Sequence, residues 1–138
     1  MSQRIVLLTE EDTLALGTEL AKRWSRGGVV YLSGDLGVGK TTLVRGWLRG
    51  LGFKGRVKSP SYGLIESYEI DELTVHHLDL YRLGDAEEID YLGIEDLFVG
   101  PTLMLVEWAE RGQGHLPPPD LTIDLSDKPG GGREAVLS

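Results

Sequence analysis

Apolar positions along this chain change their period several times, and each change marks an element. Ile5-Val-Leu-Leu8 is a short apolar run that reads as a first strand. Thr9-Glu-Glu-Asp12 has the spacing of a capping box, with acids in the first turn where the helix dipole favours them. The helix it starts is predicted to run to about Arg26, burying Leu16, Leu20 and Trp24, with Gly27-Gly28 as its stop. Val29-Val-Tyr-Leu-Ser33 reads as a buried strand. From Thr41 to Leu51 the helical period returns, with Leu43, Val44, Trp47, Leu48 and Leu51 on one side and Gly50 and Gly52 closing it.

The second half reads mostly as strands. Val57 to Tyr62 is a loop with its backbone fixed at Pro60. Leu64–Ile70 and Leu73–Leu80 flank Asp71-Glu72 as a β-hairpin, so part of the sheet is expected to be antiparallel. Asp85-Ala-Glu-Glu88 again has cap spacing and opens a short helix ending at Gly93, followed by a turn or two over Ile94–Phe98. Thr102-Leu-Met-Leu-Val-Glu-Trp108 is the most strand-like apolar run. His115-Leu-Pro-Pro-Pro119 is a rigid connector. Leu121–Leu125 and Arg133–Leu137 read as the last strands, paired across the loose turn Asp127–Gly132.

Composition narrows this pattern without redirecting it. At 138 residues, residues 1–138 are expected to form a single domain. With no cysteine, disulfides and thiolate chemistry are excluded, which suits a reducing cytoplasm. The apolar run at the N-terminus is too short for a signal peptide or a membrane span, so no membrane partner is expected. The net charge of −8 argues against this chain gripping an RNA or DNA backbone by itself, because such binding neutralises phosphates with Lys and Arg. Lys54, Arg56 and Lys58 form a small basic patch, which as three charges reads more simply as a solvated loop.

The chemistry starts between the second strand and the second helix. Gly34-Asp-Leu-Gly-Val-Gly-Lys-Thr41 fits G-x-x-x-x-G-K-[ST] at every required position, with Thr42 behind it. Glycine at 34, 37 and 39 permits backbone conformations that a Cβ forbids, so that N–H groups can turn inward around phosphate oxygens at a helix N-terminus. A chain with 19 glycines meets this pattern by chance more often than most. The strand before it and the helix after it supply the required context. Gly34, Asp35, Leu36, Gly37, Val38, Gly39, Lys40, Thr41 and Thr42 are therefore the candidate nucleotide-binding residues, with Lys40 on the β- and γ-phosphates and Thr41 on Mg²⁺.

Two carboxylates are candidates to complete the site. Glu107 ends the run Leu103-Met-Leu-Val106, the Walker B pattern, and in open α/β sheets ligands sit outside the carboxyl ends of strands. Asp79 lies near the end of another mostly apolar strand. Glu107 is assigned to the metal and Asp79 to the switch and water side, with an exchange of the two roles left open. Ser59 and Ser61 stand where a switch segment would approach the nucleotide, or in an ordinary connecting loop.

Taken together, Gly34–Thr42, Ser59-Pro-Ser-Tyr62, His77-Leu-Asp-Leu-Tyr-Arg-Leu83, Gly93-Ile-Glu-Asp96, Val106-Glu-Trp108 and Leu116-Pro117 resemble the TsaE (YjeE) family. The resemblance runs from about Thr13 to Arg133. It implies a P-loop ATPase of α/β class, with a parallel core, antiparallel hairpin strands and flanking helices. It further implies ATP hydrolysis with Mg²⁺ in support of a TsaB–TsaD heterodimer that modifies adenosine 37 of tRNA, with tRNA met only through those partners. The family's loop falls on Gly34–Thr42, its Asp on Asp79 and its Glu-Trp on Glu107 and Trp108. Two positions depart from the family pattern: Ser61-Tyr62 stands for Thr-Phe, and Ala109 for a Pro.

On these readings Lys40, Asp79 and Glu107 are the catalytic set, and Thr41, Glu107 and Asp79 the metal set. Thr42 is a candidate for an α-phosphate oxygen. Arg82 and Arg111 are candidates for transition-state charge, though surface arginines are usually just solvated. Trp108 reads as a core aromatic before a base or partner contact. His76 and His77 alternate across a strand and cannot both face one site. Three rival readings remain. A small-molecule kinase would share the loop but needs room for a substrate domain. A GTPase finds a D-x-x-G match in Asp90-Tyr-Leu-Gly93 but no N-K-x-D. A nucleotide-dependent regulatory module with little hydrolysis is the third.

Overall fold

Two runs of apolar side chains, one on each face of a central sheet, decide where everything else goes. The computed structural model describes residues 2–35, 37–60 and 64–138. The strands are β1 (Gln3–Leu7), β2 (Gly28–Ser33), β3 (Ile65–Ile70), β4 (Leu73–Asp79), β5 (Thr102–Glu107), β6 (Leu121–Asp127) and β7 (Arg133–Leu137). They form one sheet in the order β1-β7-β6-β2-β5-β4-β3. The inner strands β6, β2, β5 and β4 are parallel, and β1, β7 and β3 pair antiparallel with their neighbours. This is the mixed P-loop sheet expected, with the hairpin over Asp71-Glu72 on one edge. Asp71 takes the left-handed conformation there (φ 54°), which a short polar residue tolerates.

Helices α1 (Glu10–Arg23) and α2 (Lys40–Gly50) cover one face, burying Leu16, Leu20, Leu43, Val44, Trp47 and Leu48 against Val30, Leu32, Leu103 and Leu105. The short α3 (Glu88–Leu92) and the 3₁₀ turns Ile94–Leu97 and Ala109–Gly112 cover the other, around Leu78, Met104 and Val106. Every residue of β5 is buried, which is why its sequence is an unbroken apolar run instead of an alternation. Among the described residues no helix is long and apolar enough to cross a membrane.

The predicted capping box at α1 is present: Asp12 N–H donates to Thr9 Oγ1 at 3.2 Å, and the Asp12 carboxylate accepts from Thr9 N–H at 3.2 Å. The helix stops at Arg23, earlier than expected, because Trp24 leaves the helical region to pack its ring beside Gly28. The cap spacing at Asp85 also forms only in part. Asp85 Oδ1 accepts from Glu87 N–H at 3.0 Å, but α3 itself starts at Glu88 with no side-chain cap.

The close approach of α1 to α2 has no counterpart in the periodicity. A Cβ on Gly46 would lie 2.3 Å from the Leu14 carbonyl oxygen, and one on Gly17 2.5 Å from that of Leu43. Thr18 Oγ1 donates across the contact to Gly46 O at 3.3 Å. The Gly46→Ala chain is therefore expected to lose about 1–3 kcal/mol, the usual cost of overpacking a tight core, despite alanine's better helix propensity. A urea midpoint equal to that of the unsubstituted chain would show that the helices can separate freely.

Candidate active site

The phosphate loop links the end of β2 to α2, at the carboxyl edge of the sheet. Gly34 (φ 136°) passes so close to β6 that a Cβ would lie 2.4 Å from the Leu125 carbonyl oxygen. Gly39 (φ 104°) is the N-cap of α2 in the left-handed region. No side chain caps α2 and no acid stands in its first turn. Its leading N–H groups and the positive end of its dipole are thus left for an anion. Val38 is buried and anchors the loop in the core, while Asp35 and Gly37 are exposed. Leu36 lies outside the described residues, as do Ser61 and Tyr62 of the expected switch segment.

A cleft of about 760 Å³ opens over this loop. Gly37, Gly39, Lys40, Thr41 and Thr42 line it, as do both sequence-predicted carboxylates, Asp79 and Glu107. The register explains why two acids distant in sequence meet. Asp79 ends β4, Glu107 ends β5, and the two are direct partners in the parallel ladder, with Leu32 of β2 on the other side of Glu107. Parity puts both acids on the face that α2 covers, since Val75, Leu103 and Leu105 of the same alternation belong to that core. Ser59 also lines the cleft.

Lys40 is buried, with 4% of its surface exposed. Its Nζ donates to the Gly34 carbonyl at 2.6 Å and lies 4.1 Å from the centroid of the Trp108 ring. Trp108 is itself in the left-handed conformation (φ 58°), a costly one for a bulky residue, and its ring tilts against Tyr81 at 5.0 Å. That backbone turn leads directly into the 3₁₀ turn starting at Ala109. Trp108 thus packs against the second core, as expected, and also roofs the loop lysine.

Glu107 is 3% exposed and pairs with a residue left without a role at the sequence level: His77 Nε2 lies 2.5 Å from Glu107 Oε2. His76 points to the opposite face, its Nδ1 2.7 Å from Ser67 Oγ, as strand alternation requires. Burial raises the Asp79 carboxyl above the ordinary carboxylate range, and the neighbouring Glu107 charge adds to this. The Tyr81 N–H (3.0 Å), His77 and Lys40 act in the other direction.

This shift has a consequence for stability. A carboxyl whose folded pKa is raised destabilises the fold once it must ionise. Both states are protonated below about pH 4, the unfolded chain ionises first as pH rises, and the full cost is present above the raised value. Asp79→Asn removes that cost. In nucleotide-free, metal-free buffer the variant is expected to unfold at higher urea than the unsubstituted chain at pH 7, the gap closing as pH falls from the raised folded value toward about 4 and absent below it. Equal midpoints at pH 7 would show that Asp79 is solvated enough to ionise freely.

Some candidates lie elsewhere. Neither Arg82 nor Arg111 is among the described residues lining the cleft; Arg111 stacks over Tyr81 at 5.2 Å. Asp90 of the D-x-x-G match sits in α3 at a separate cavity, 3.1 Å from His115 Nδ1, away from the loop. In their place the cleft holds Lys128 and Arg133, cations from the β6–β7 turn and the start of β7. An Arg133 guanidinium nitrogen lies 2.9 Å from where a Gly39 Cβ would stand, and Arg133 Nε donates to Asp127 at 3.3 Å. No motif marks Arg133, because only the antiparallel return of β7 beside β6 brings it to the loop.

Comparison with known proteins agrees with this architecture. The family model described as threonylcarbamoyl adenosine biosynthesis protein TsaE matches residues 7–135. A relative from Haemophilus influenzae, named tRNA threonylcarbamoyladenosine biosynthesis protein TsaE, is 52% identical over 97 residues, which cover 70% of this chain and 61% of that protein, less than two thirds of its length. The protein of that name from Treponema pallidum is 34% identical over 135 residues, covering 98% of this chain and 99% of its own. The crystal structure of YdiB from Bacillus subtilis superposes with a TM-score of 0.83 at 31% identity, covering 99% of this chain and 84% of that one. The family match thus runs over nearly the whole length, and the chain belongs to the TsaE family of threonylcarbamoyl adenosine biosynthesis proteins.

Proposed function

We propose that this chain, as a single domain, binds and hydrolyses ATP with Mg²⁺, and that it does so in support of a TsaB–TsaD heterodimer modifying adenosine 37 of tRNA. The observation that carries the reading is the convergence of Lys40, Thr41, Asp79 and Glu107 on one cleft at the open N-terminus of α2. Mg²⁺ fits this donor set. It prefers hard oxygen ligands and is usually held by one or two carboxylates together with substrate phosphates. Thr41 with Glu107 supplies such ligands, and Asp79 stands next to them. Bound there, the ion would neutralise charge on the transferring phosphate.

The protein's own groups do the positioning. Lys40 holds the β- and γ-phosphate oxygens, and the N–H groups of the loop from Gly34 to Thr42 hold the rest of the chain of phosphates. Asp79 orients the attacking water from the end of β4, beside Glu107. The acidic surface, net −8, keeps tRNA contact with the partners.

One observation favours the regulatory-module reading as the second choice. Lys40 bonds the loop's own Gly34 carbonyl and lies over Trp108, so it must leave both, or share them, to reach a phosphate. That arrangement suits slow turnover by the isolated chain. Phosphate release measured with and without purified TsaB and TsaD separates the two. Acceleration by the heterodimer supports the ATPase; tight ATP binding with no release under any partner leaves a binding module.

A further inference from the structure

We infer that His77 is a positioning residue for Glu107, holding that carboxylate in place for Mg²⁺-nucleotide. This rests on the ATP–Mg²⁺ reading above. The His77 side chain is fully buried and that of Glu107 is 4% exposed, and they meet at 2.5 Å through Nε2 and Oε2. They come from neighbouring strands. His77 is the ladder partner of Leu105, two residues before Glu107, so the bond runs diagonally across one face of the sheet. The alternate positions on that face, Val75, Leu103 and Leu105, are all aliphatic. An imidazole among them is an exception that packing alone does not require.

The direction of the bond follows from the chemistry. A carboxylate that works as an anion only accepts, so the proton between the pair sits on Nε2. His77 donates to Oε2, which fixes the rotamer of Glu107 and leaves Oε1 for the cleft it lines. The other ring nitrogen, Nδ1, is buried without a partner among the described residues. His77 is therefore tied to Glu107 at one end only. Outer hydrogen bonds of this kind orient metal-binding side chains, and their loss typically costs about 10- to 100-fold in metal affinity or activity.

The experiment compares His77→Leu with His77→Gln. Leucine fills the space without a donor, whereas glutamine carries an amide N–H of similar reach. Calorimetric titration with a non-hydrolysable ATP analogue is run in EDTA and again in Mg²⁺, beside circular dichroism and single-turnover phosphate release. The leucine variant is expected to fold, to bind the analogue in EDTA within about 2-fold of the unsubstituted chain, and to lose roughly 10- to 100-fold of the tightening that Mg²⁺ confers. Its single-turnover rate at saturating nucleotide should fall by a similar factor. The glutamine variant should recover most of both. If the leucine variant does not fold, His77→Asn takes its place, since its shorter amide does not reach Glu107; only glutamine should then keep the Mg²⁺ effect. A folded leucine variant with unaltered Mg²⁺ dependence, or Gln behaving like Leu or Asn, overturns the inference. An unsubstituted chain whose binding ignores Mg²⁺ overturns the metal reading, and this inference with it.

Discussion

Glu107→Gln is expected to lower ATP turnover by roughly 100- to 1000-fold, the size of one lost electrostatic contact to a transition state, while nucleotide binding in EDTA stays near that of the unsubstituted chain. The substitution keeps volume and shape in a strand that is buried at every position. It also keeps an oxygen to accept from His77, so the sheet should form as before. What goes is the negative charge at the point where β5 meets the loop. Phosphoryl transfer needs little covalent chemistry from the protein, so a charge that helps hold the metal contributes mostly to the transition state. Single-turnover phosphate release checks this, with binding measured separately. Near-native turnover would remove Glu107 from the metal set and move that role to Asp79, its ladder partner.

Lys40→Ala is expected to weaken ATP binding by roughly 10- to 100-fold, since a hydrogen bond to a charged group contributes about 1.5–3 kcal/mol, and to reduce turnover further. The structure adds a complication that the motif alone does not contain. Lys40 is buried, bonded to Gly34 and stacked on Trp108, so alanine also removes packing. Lys40→Met resolves it, because the apolar side chain still covers the Trp108 ring without charge. Similar losses of affinity in Ala and Met assign the effect to the ammonium group. A methionine variant that binds ATP normally would mean that Lys40 serves the loop's shape and not the phosphate.

Much of the fold was legible before any coordinates because its signals are local. The capping box at Thr9–Asp12 is satisfied within four residues, and the loop's glycines and helix start lie within eight. The end of α1 lies a few residues before the glycine stop because Trp24 answers to Gly28 across a turn and not to its own helix. Similarly, Asp85 caps a turn and not a helix, since α3 is held mainly by Ile89 against the second core.

The site divides in the same way. The loop residues and the two strand-end acids could be read from residue type and from position in a run, because burial on both faces forces an apolar strand and makes a terminal acid conspicuous. Nothing in a one-dimensional pattern says that Asp79 and Glu107 are ladder partners, that His77 reaches Glu107 diagonally, or that Arg133 returns beside Gly39 from almost one hundred residues away. Those are consequences of strand order and register, set by which apolar faces pack together. Read along the chain alone, the loop between β2 and α2 is a candidate phosphate site and carboxylates end nearby strands, for these follow from backbone freedom and burial within single segments. Which acid faces the histidine, where the loop lysine rests and which cation stands over the loop follow from the assembled sheet, since each depends on strands that meet side by side though far apart along the chain.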